Sequence, residues 1–239
     1  MYKTMEIGFW WKTMRQDVEY TVRTCPECQK NKKVQKKYGK LPPKDAETES
    51  TPWERVNVDL IGPLLVKTPS GTFSFDALTM IDPANDWFEI KEIKSRTAEA
   101  VAAAFDNTWL SRYPRPKYLG FDNGGENKGL FKVMMENYGL KRKPQQLLII
   151  PKEMGCVKED VHAVLNDILR TFELEERELS PDDPWSEFLS AAAFAIRATY
   201  HTTLQATPAQ LVFGRDMILP IAVEANWDLI KHRKQQEIN

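Results

Sequence analysis

Residues 52–63 read Pro52-Trp-Glu-Arg-Val-Asn-Val-Asp-Leu-Ile-Gly-Pro63. Val56, Val58 and Leu60 alternate with Asn57, Asp59 and Ile61, the period of two that marks a strand with unlike faces. Gly62-Pro63 is expected to end that strand. An aspartate in the middle of a strand is disfavoured and needs a reason to be there. Two features of the segment therefore stand out, a strand and a carboxylate held on it.

The strand pattern continues downstream. Phe73 to Ile81 reads as a second strand and Trp87 to Ile93 as a third, with Asp82-Pro-Ala-Asn85 suited to the hairpin turn between them. Thr97 to Leu110 reads as a helix with Ala98, Val101, Phe105 and Trp109 on one face. Tyr118 to Phe121 is a short fourth strand that ends at Asp122-Asn-Gly-Gly125. Leu130 to Tyr138 is helical and stops at Gly139. Leu147 to Ile150 is a continuous apolar run with two readings, a fifth strand or a sticky exposed segment. Val157 to Glu176 is a longer helix whose stripe is Val157, Val161, Val164, Ile168 and Phe172. Asp183-Pro184 opens another helix, running to about Tyr200, with Asp as cap and Pro in the first turn. This order predicts an α/β three-layer domain, a mixed sheet covered by helices.

Upstream lies a different unit. Trp10, Trp11, Met14, Val18 and Val22 recur at helical spacing, and Cys25-Pro-Glu-Cys28 follows. The chain as a whole has 33 Lys and Arg against 34 Asp and Glu, a net charge of -1. Residues 1–44 carry 11 basic and 4 acidic residues, a net of +7, which leaves -8 for the rest. The positive charge concentrates in Lys30, Lys32, Lys33, Lys36, Lys37, Lys40 and Lys44. A run of this kind reads as a solvated, mobile segment, or more sharply as a phosphate-binding linker. Pro42-Pro43 and the polar stretch Asp45 to Thr51 read as the linker into the second unit.

These totals exclude several classes. Near-neutral charge argues against a uniformly basic nucleic-acid binder. A hydrophobic content of 42% with 10% aromatics excludes an acidic disordered chain. No run approaches the roughly 18 apolar residues of a membrane helix, and Met1 to Trp11 lacks the pattern of a signal peptide. Three cysteines argue against a disulfide framework and for an intracellular setting.

Three carboxylates are placed for metal chemistry. A parallel pairing of the first and fourth strands would bring Asp59 and Asp122 to one sheet edge. Glu159, on the helix after Gly155, points about 200° away from Val157, off the buried stripe. Together they could hold two divalent cations; hard oxygen donors suit Mg²⁺. Plainer readings stand beside this one, an ordinary turn for Asp122 and a solvated helix face for Glu159.

The motifs resemble the integrases of gypsy-like LTR retrotransposons and retroviruses over nearly the whole sequence. Phe9 to Val18 with Thr24-Cys-Pro-Glu-Cys-Gln29 is similar to the back half of that family's His-His-Cys-Cys zinc domain. Pro52 to Pro63 resembles the first catalytic strand, Phe121-Asp-Asn-Gly-Gly-Glu126 the second Asp motif, and Glu159-Asp-Val-His-Ala-Val-Leu165 the catalytic Glu helix. Ala206 to Arg215 matches the segment that closes the core. The resemblance implies an RNase H-like core with a mixed five-stranded sheet, and catalytic metal ligands at Asp59, Asp122 and Glu159. It implies Mg²⁺- or Mn²⁺-dependent phosphodiester cleavage and strand transfer, with DNA (element ends and target) as partner. It further implies a homo-oligomer, no membrane, and a nuclear location. The domains then run 1–44 (partial zinc-binding-type domain and basic linker), 45–51 (linker), 52–215 (core) and 216–239 (tail), with Lys30, Lys32, Lys33, Lys36, Lys37 and Lys40 as DNA contacts and Lys141-Arg-Lys143 as a second basic group.

The sequence departs from the family pattern in three places. No His precedes Cys25, so Cys25 and Cys28 form an incomplete zinc set; they could still hold zinc in a dimer, but free thiols are the expectation. A thioredoxin-like reading of the same pair lacks its βαβ frame. Gln145 to Cys156 stands where the family has a Thr-Thr, aromatic-His/Asn-Pro-Gln element, which reads as a frameshifted window returning to frame near Val161-His162. The chain ends at Asn239 without the family's C-terminal DNA- or chromatin-binding domain. Two rivals to an active core follow: a catalytically silent nucleic-acid- or protein-binding remnant, and a metal-dependent nuclease that hydrolyses rather than joins.

Overall fold

The structure is a computed structural model of the chain and describes residues 1–26, 51–68, 71–121, 132–133, 135–142, 185–219, 222 and 225–238. Two short helices come first, α1 (Tyr2–Met5) and α2 (Met14–Thr24). The strands are β1 (Arg55–Thr68), β2 (Gly71–Ile81), β3 (Phe88–Ile93), β4 (Tyr118–Gly120) and β5 (Lys141–Arg142). Helix α3 (Ala98–Phe105) widens into a π turn over Asp106–Leu110. Helices α4 (Ser186–Ala198), α5 (Pro208–Phe213) and α6 (Trp227–Ile238) complete the described elements.

The sheet order is β3-β2-β1-β4-β5. The first three strands form an antiparallel meander, and β4 and β5 add in parallel. Among the described residues four strands of three or more residues make up the body of the sheet, rather than five; at the fifth position they form the two-residue ladder of Lys141 and Arg142. The expected fifth strand at Leu147–Ile150, the expected helix at Val157–Glu176 and the helix start expected at Asp183-Pro184 lie outside the described residues.

Apolar residues on both sheet faces make the three layers. Val56, Val58, Leu78, Met80 and Leu119 pack against Val101, Phe105 and Trp109 on one side. Phe75, Ala77, Ile81, Phe88 and Ile90 pack against Trp185, Phe188, Leu189, Ala192 and Ala193 on the other. Each large side chain so buried stabilises the fold by about 1.5–3 kcal/mol.

Strand β1 runs past Gly62-Pro63 instead of stopping there. Up to Ile61, which pairs with Ala77, the register is regular; from Leu64, which pairs with Phe75, it is displaced. Gly62 and Pro63 thus stand opposite the single residue Asp76, a β-bulge. A bulge has no ladder bond for the missing Pro63 N–H to leave empty. The Gly62–Pro63 peptide is cis, and Gly62 has φ 124°. A Cβ at Gly62 would come within 2.5 Å of the Asp76 carboxylate, so glycine is required twice over.

Caps written in the sequence fix the helix starts. The Thr97 hydroxyl accepts from the Ala100 N–H at 3.3 Å, and Thr207 and Gln210 form a reciprocal capping box at α5. The helical residues before Gly139 end where Leu140 N–H donates to the Met135 carbonyl at 3.0 Å. At the N-terminus the expected stripe is only half realised. Met14 and Val18 are buried, but Trp10 and Val22 are exposed. Helix α2 starts at Met14, so the tryptophans precede it; Trp11 is held instead by its ring N–H, 2.6 Å from Asp17 Oδ2.

Candidate functional site

Asp59 lies on β1, opposite Thr79 of β2, whose hydroxyl donates to the Asp59 carbonyl at 3.1 Å. Alternation puts Asp59 between Asn57 and Ile61, on the side of the sheet where Ile61 packs toward α4. Its neighbours Val56 and Val58 are fully buried on the other side. Asp59 itself is half-buried. A half-buried carboxylate whose backbone is fixed by the β1–β2 ladder suits a hard cation ligand.

The parallel ladder beside it is tight. Arg55 pairs with Tyr118, Val56 with Leu119, and Asn57 with Gly120. The buried Asn57 side chain, which accepts from Arg55 Nε at 3.0 Å, lies directly over Gly120. A Cβ at position 120 would fall on the Asn57 side-chain oxygen and also meet the Arg55 guanidinium at 3.0 Å. Gly120 therefore lets β4 approach β1 closely, two residues before Asp122.

Of the expected site residues, Asp59 and Cys25 are described. Cys25 caps the end of α2 in an extended conformation and is partly exposed. Asp122, Glu159, Cys28, Lys30, Lys32, Lys33, Lys36, Lys37 and Lys40 lie outside the described residues. Among the described residues no three His, Cys, Asp or Glu side chains gather as a metal site. Lys141 and Arg142, expected in a basic surface group, form β5 and pair with Tyr118 and Leu119.

Sequence reasoning missed the supports around Asp59 and a buried ionic cluster at the far end of the hairpin. The Asp82 carboxylate accepts from Trp53 N–H at 2.6 Å and Ala84 N–H at 2.7 Å. Burial pushes its pKa up to about 6, against the pull of those bonds and of Lys234. Lys234 of α6 donates to Asp86 Oδ1 at 2.9 Å and to the Pro83 carbonyl at 2.7 Å. Glu89 accepts from Arg197 Nη1 at 2.6 Å and from the Tyr113 hydroxyl. Burial and the Glu89 bond push the Tyr113 pKa up to about 12. The Arg197 guanidinium also stands 4.9 Å over the Trp87 ring. The only signal for this cluster was the acid-rich turn itself; its cations are far away in the chain.

A fold of this kind, a mixed sheet between helical layers with an acid on its central strand, is the RNase H-like architecture of integrase catalytic cores. It matches a chain of the cryoEM structure of the simian T-cell lymphotropic virus intasome in complex with PP2A regulatory subunit B56 gamma. The TM-score is 0.57 at 17% identity, over 90% of this chain and 71% of that one. The family model described as the integrase zinc binding domain matches residues 1–34. The human Gypsy retrotransposon integrase-like protein 1 is 26% identical over 222 residues, 90% of this chain and 39% of that protein. The Pro-Pol polyprotein of feline foamy virus is 23% identical over 237 residues, 97% of this chain and 18% of the polyprotein. Domain model, relatives and fold together support an integrase of the retrotransposon and retroviral type. The chain spans well under half the length of the curated relatives it matches, from 15% of one to 40% of another. Among the described residues no helix is long and apolar enough to cross a membrane.

Proposed function

We propose that the chain carries an integrase catalytic core that cleaves and joins DNA phosphodiester bonds with a divalent cation. Asp59, Asp122 and Glu159 are the proposed ligands. One observation carries the reading. The β1–β4 ladder pairs residues 55 with 118, 56 with 119 and 57 with 120. Asp59 and Asp122 have that same separation in the chain, so the ladder, extended by two residues, would set them side by side. When bound, Mg²⁺ or Mn²⁺ would activate the attacking oxygen and stabilise the leaving one. The chain's own part would be to hold the Asp59 and Asp122 carboxylates side by side on neighbouring strands. Lys30, Lys32, Lys33, Lys36, Lys37 and Lys40 would contact DNA phosphates. Element ends and target would be the substrates, a homo-oligomer the working form and the nucleus the location.

A strand-transfer and nicking assay with Mg²⁺ or Mn²⁺ tests this, comparing wild type with Asp59→Asn and Asp122→Asn. The expected outcome is activity in the wild type and its loss in both variants.

A second reading is favoured by one sequence observation, the Gln145–Cys156 stretch, which departs from the family pattern. In it the chain is a catalytically silent remnant that binds nucleic acid, with Cys25 and Cys28 holding no zinc. Its signature is DNA binding by a wild type that neither nicks nor joins.

A further inference from the structure

Arg96 stands just beyond the end of β3 and reaches across β2 to β1. Its Nη2 donates to the Gly62 carbonyl at 2.7 Å and to Asp76 Oδ1 at 2.6 Å, and its Nε donates to the same carboxylate oxygen at 3.2 Å. Asp76 is the single β2 residue opposite the bulge, and Gly62 is one of the two bulged residues. One guanidinium thus ties the two sides of the irregularity together.

That irregularity joins two registers. Asp59 to Ile61 pair with Thr79 to Ala77 in one; Leu64 to Thr68 pair with Phe75 to Gly71 in the other, displaced by one residue. If the outer register spread inward through a lost bulge, Asp59 would stand opposite Met80. A slip of one residue turns every side chain of a strand to the opposite face. The carboxylate would then point into the layer filled by Val101 and Phe105, which is apolar. The bulge is what allows the outer hairpin to coexist with an Asp59 on the α4 side of the sheet.

We propose that Arg96 is a positioning residue for Asp59, acting through the Gly62 bulge. The inference rests on the reading of Asp59 as a metal ligand. Half-exposed ion pairs of this kind stabilise a fold little, so the effect of losing Arg96 should fall on the site more than on global stability.

The test titrates Mn²⁺ into the full chain by electron paramagnetic resonance, for wild type, Asp59→Asn, Arg96→Ala, Arg96→Lys and Asp76→Asn. Expected are loss of the site in Asp59→Asn and binding weakened by about 10-fold in Arg96→Ala, the scale found when a residue that orients a ligand is removed. Arg96→Lys should regain part of the affinity, Asp76→Asn should resemble Arg96→Ala, and melting temperatures should stay within about 3 °C. Arg96→Ala binding Mn²⁺ like the wild type, while Asp59→Asn does not, overturns the role of Arg96 and leaves the site reading intact. Weak binding with a collapse in melting temperature that Arg96→Lys does not relieve also overturns it. A wild type without Asp59-dependent Mn²⁺ binding removes the site reading and this inference with it. Should Arg96→Ala fail to fold, Arg96→Lys and Asp76→Asn are judged by the same affinities.

Discussion

The Lys234 ammonium lies 2.9 Å from the Asp86 carboxylate, a contact between residues 148 apart in the chain. Both side chains are about nine-tenths buried. Removing one partner of such a pair strands the other charge, which costs about 3–5 kcal/mol. Lys234→Met should therefore lower the melting temperature by roughly 6–20 °C in a chain of this size. The double variant Lys234→Met/Asp86→Asn should recover much of that loss. A single variant that melts with the wild type in differential scanning calorimetry would refute the pairing.

Asp82 gives the protein a pH dependence with a definite sign. Burial raises its folded pKa to about 6 from an ordinary value of 3.8. The folded state binds the proton more tightly than the unfolded chain, so this contribution is fully present below about pH 4 and is lost as pH rises through 6. The shift corresponds to about 3 kcal/mol. Urea unfolding at closely spaced pH values should show it as a downward slope between pH 4 and 6, superimposed on the other groups. Asp82→Asn should flatten that slope, and an unchanged slope in the variant would count against it.

The close approach at Gly120 makes a packing prediction. Gly120→Ala drives a methyl group onto the Asn57 side chain, and overpacking of this sort costs about 1–3 kcal/mol. Asn57→Ala removes the obstacle, so the two substitutions should be strongly non-additive. A double-mutant cycle from chemical denaturation should return a coupling of about 1 kcal/mol or more. Simple additivity would mean that the strands do not meet as closely as described.

Metal binding should register as stability. A ligand that binds only the folded chain, at ten times its dissociation constant, adds about 1.4 kcal/mol, or roughly 3–6 °C. Mn²⁺ should raise the melting temperature of the wild type by that amount, EDTA should reverse it, and Asp59→Asn should not respond. Equal shifts in both proteins would point to metal bound elsewhere.

Much of the sheet was legible because its signals are local. Alternation from Val56 to Leu60 marks β1, the turn residues Asp82 to Asn85 mark the hairpin, and the apolar face of Ala98, Val101, Phe105 and Trp109 marks α3. The continuation of β1 past Gly62-Pro63 was not, because those residues read as a stop unless the partner strand is known to yield a bulge. Lys141 and Arg142 carry no apolar pattern, so a two-residue edge strand there looks like a charged turn. Of the candidate site, Asp59 stood out because an acid inside a strand conflicts with its surroundings. Arg96 and Lys234 gave no such signal. Each looks like an ordinary surface cation until the fold brings its acceptors from other strands.

Helix α6 also bears on how the protein can be cut. Ile230 is buried with Leu204 and Leu211, and Lys234 satisfies the Pro83 carbonyl as well as Asp86. A fragment ending at Arg215 would shed that cover and leave a buried carboxylate facing water beside an uncovered apolar patch. The smallest fragment suited to expression or crystallisation therefore extends at least through Lys234, and tags belong beyond it.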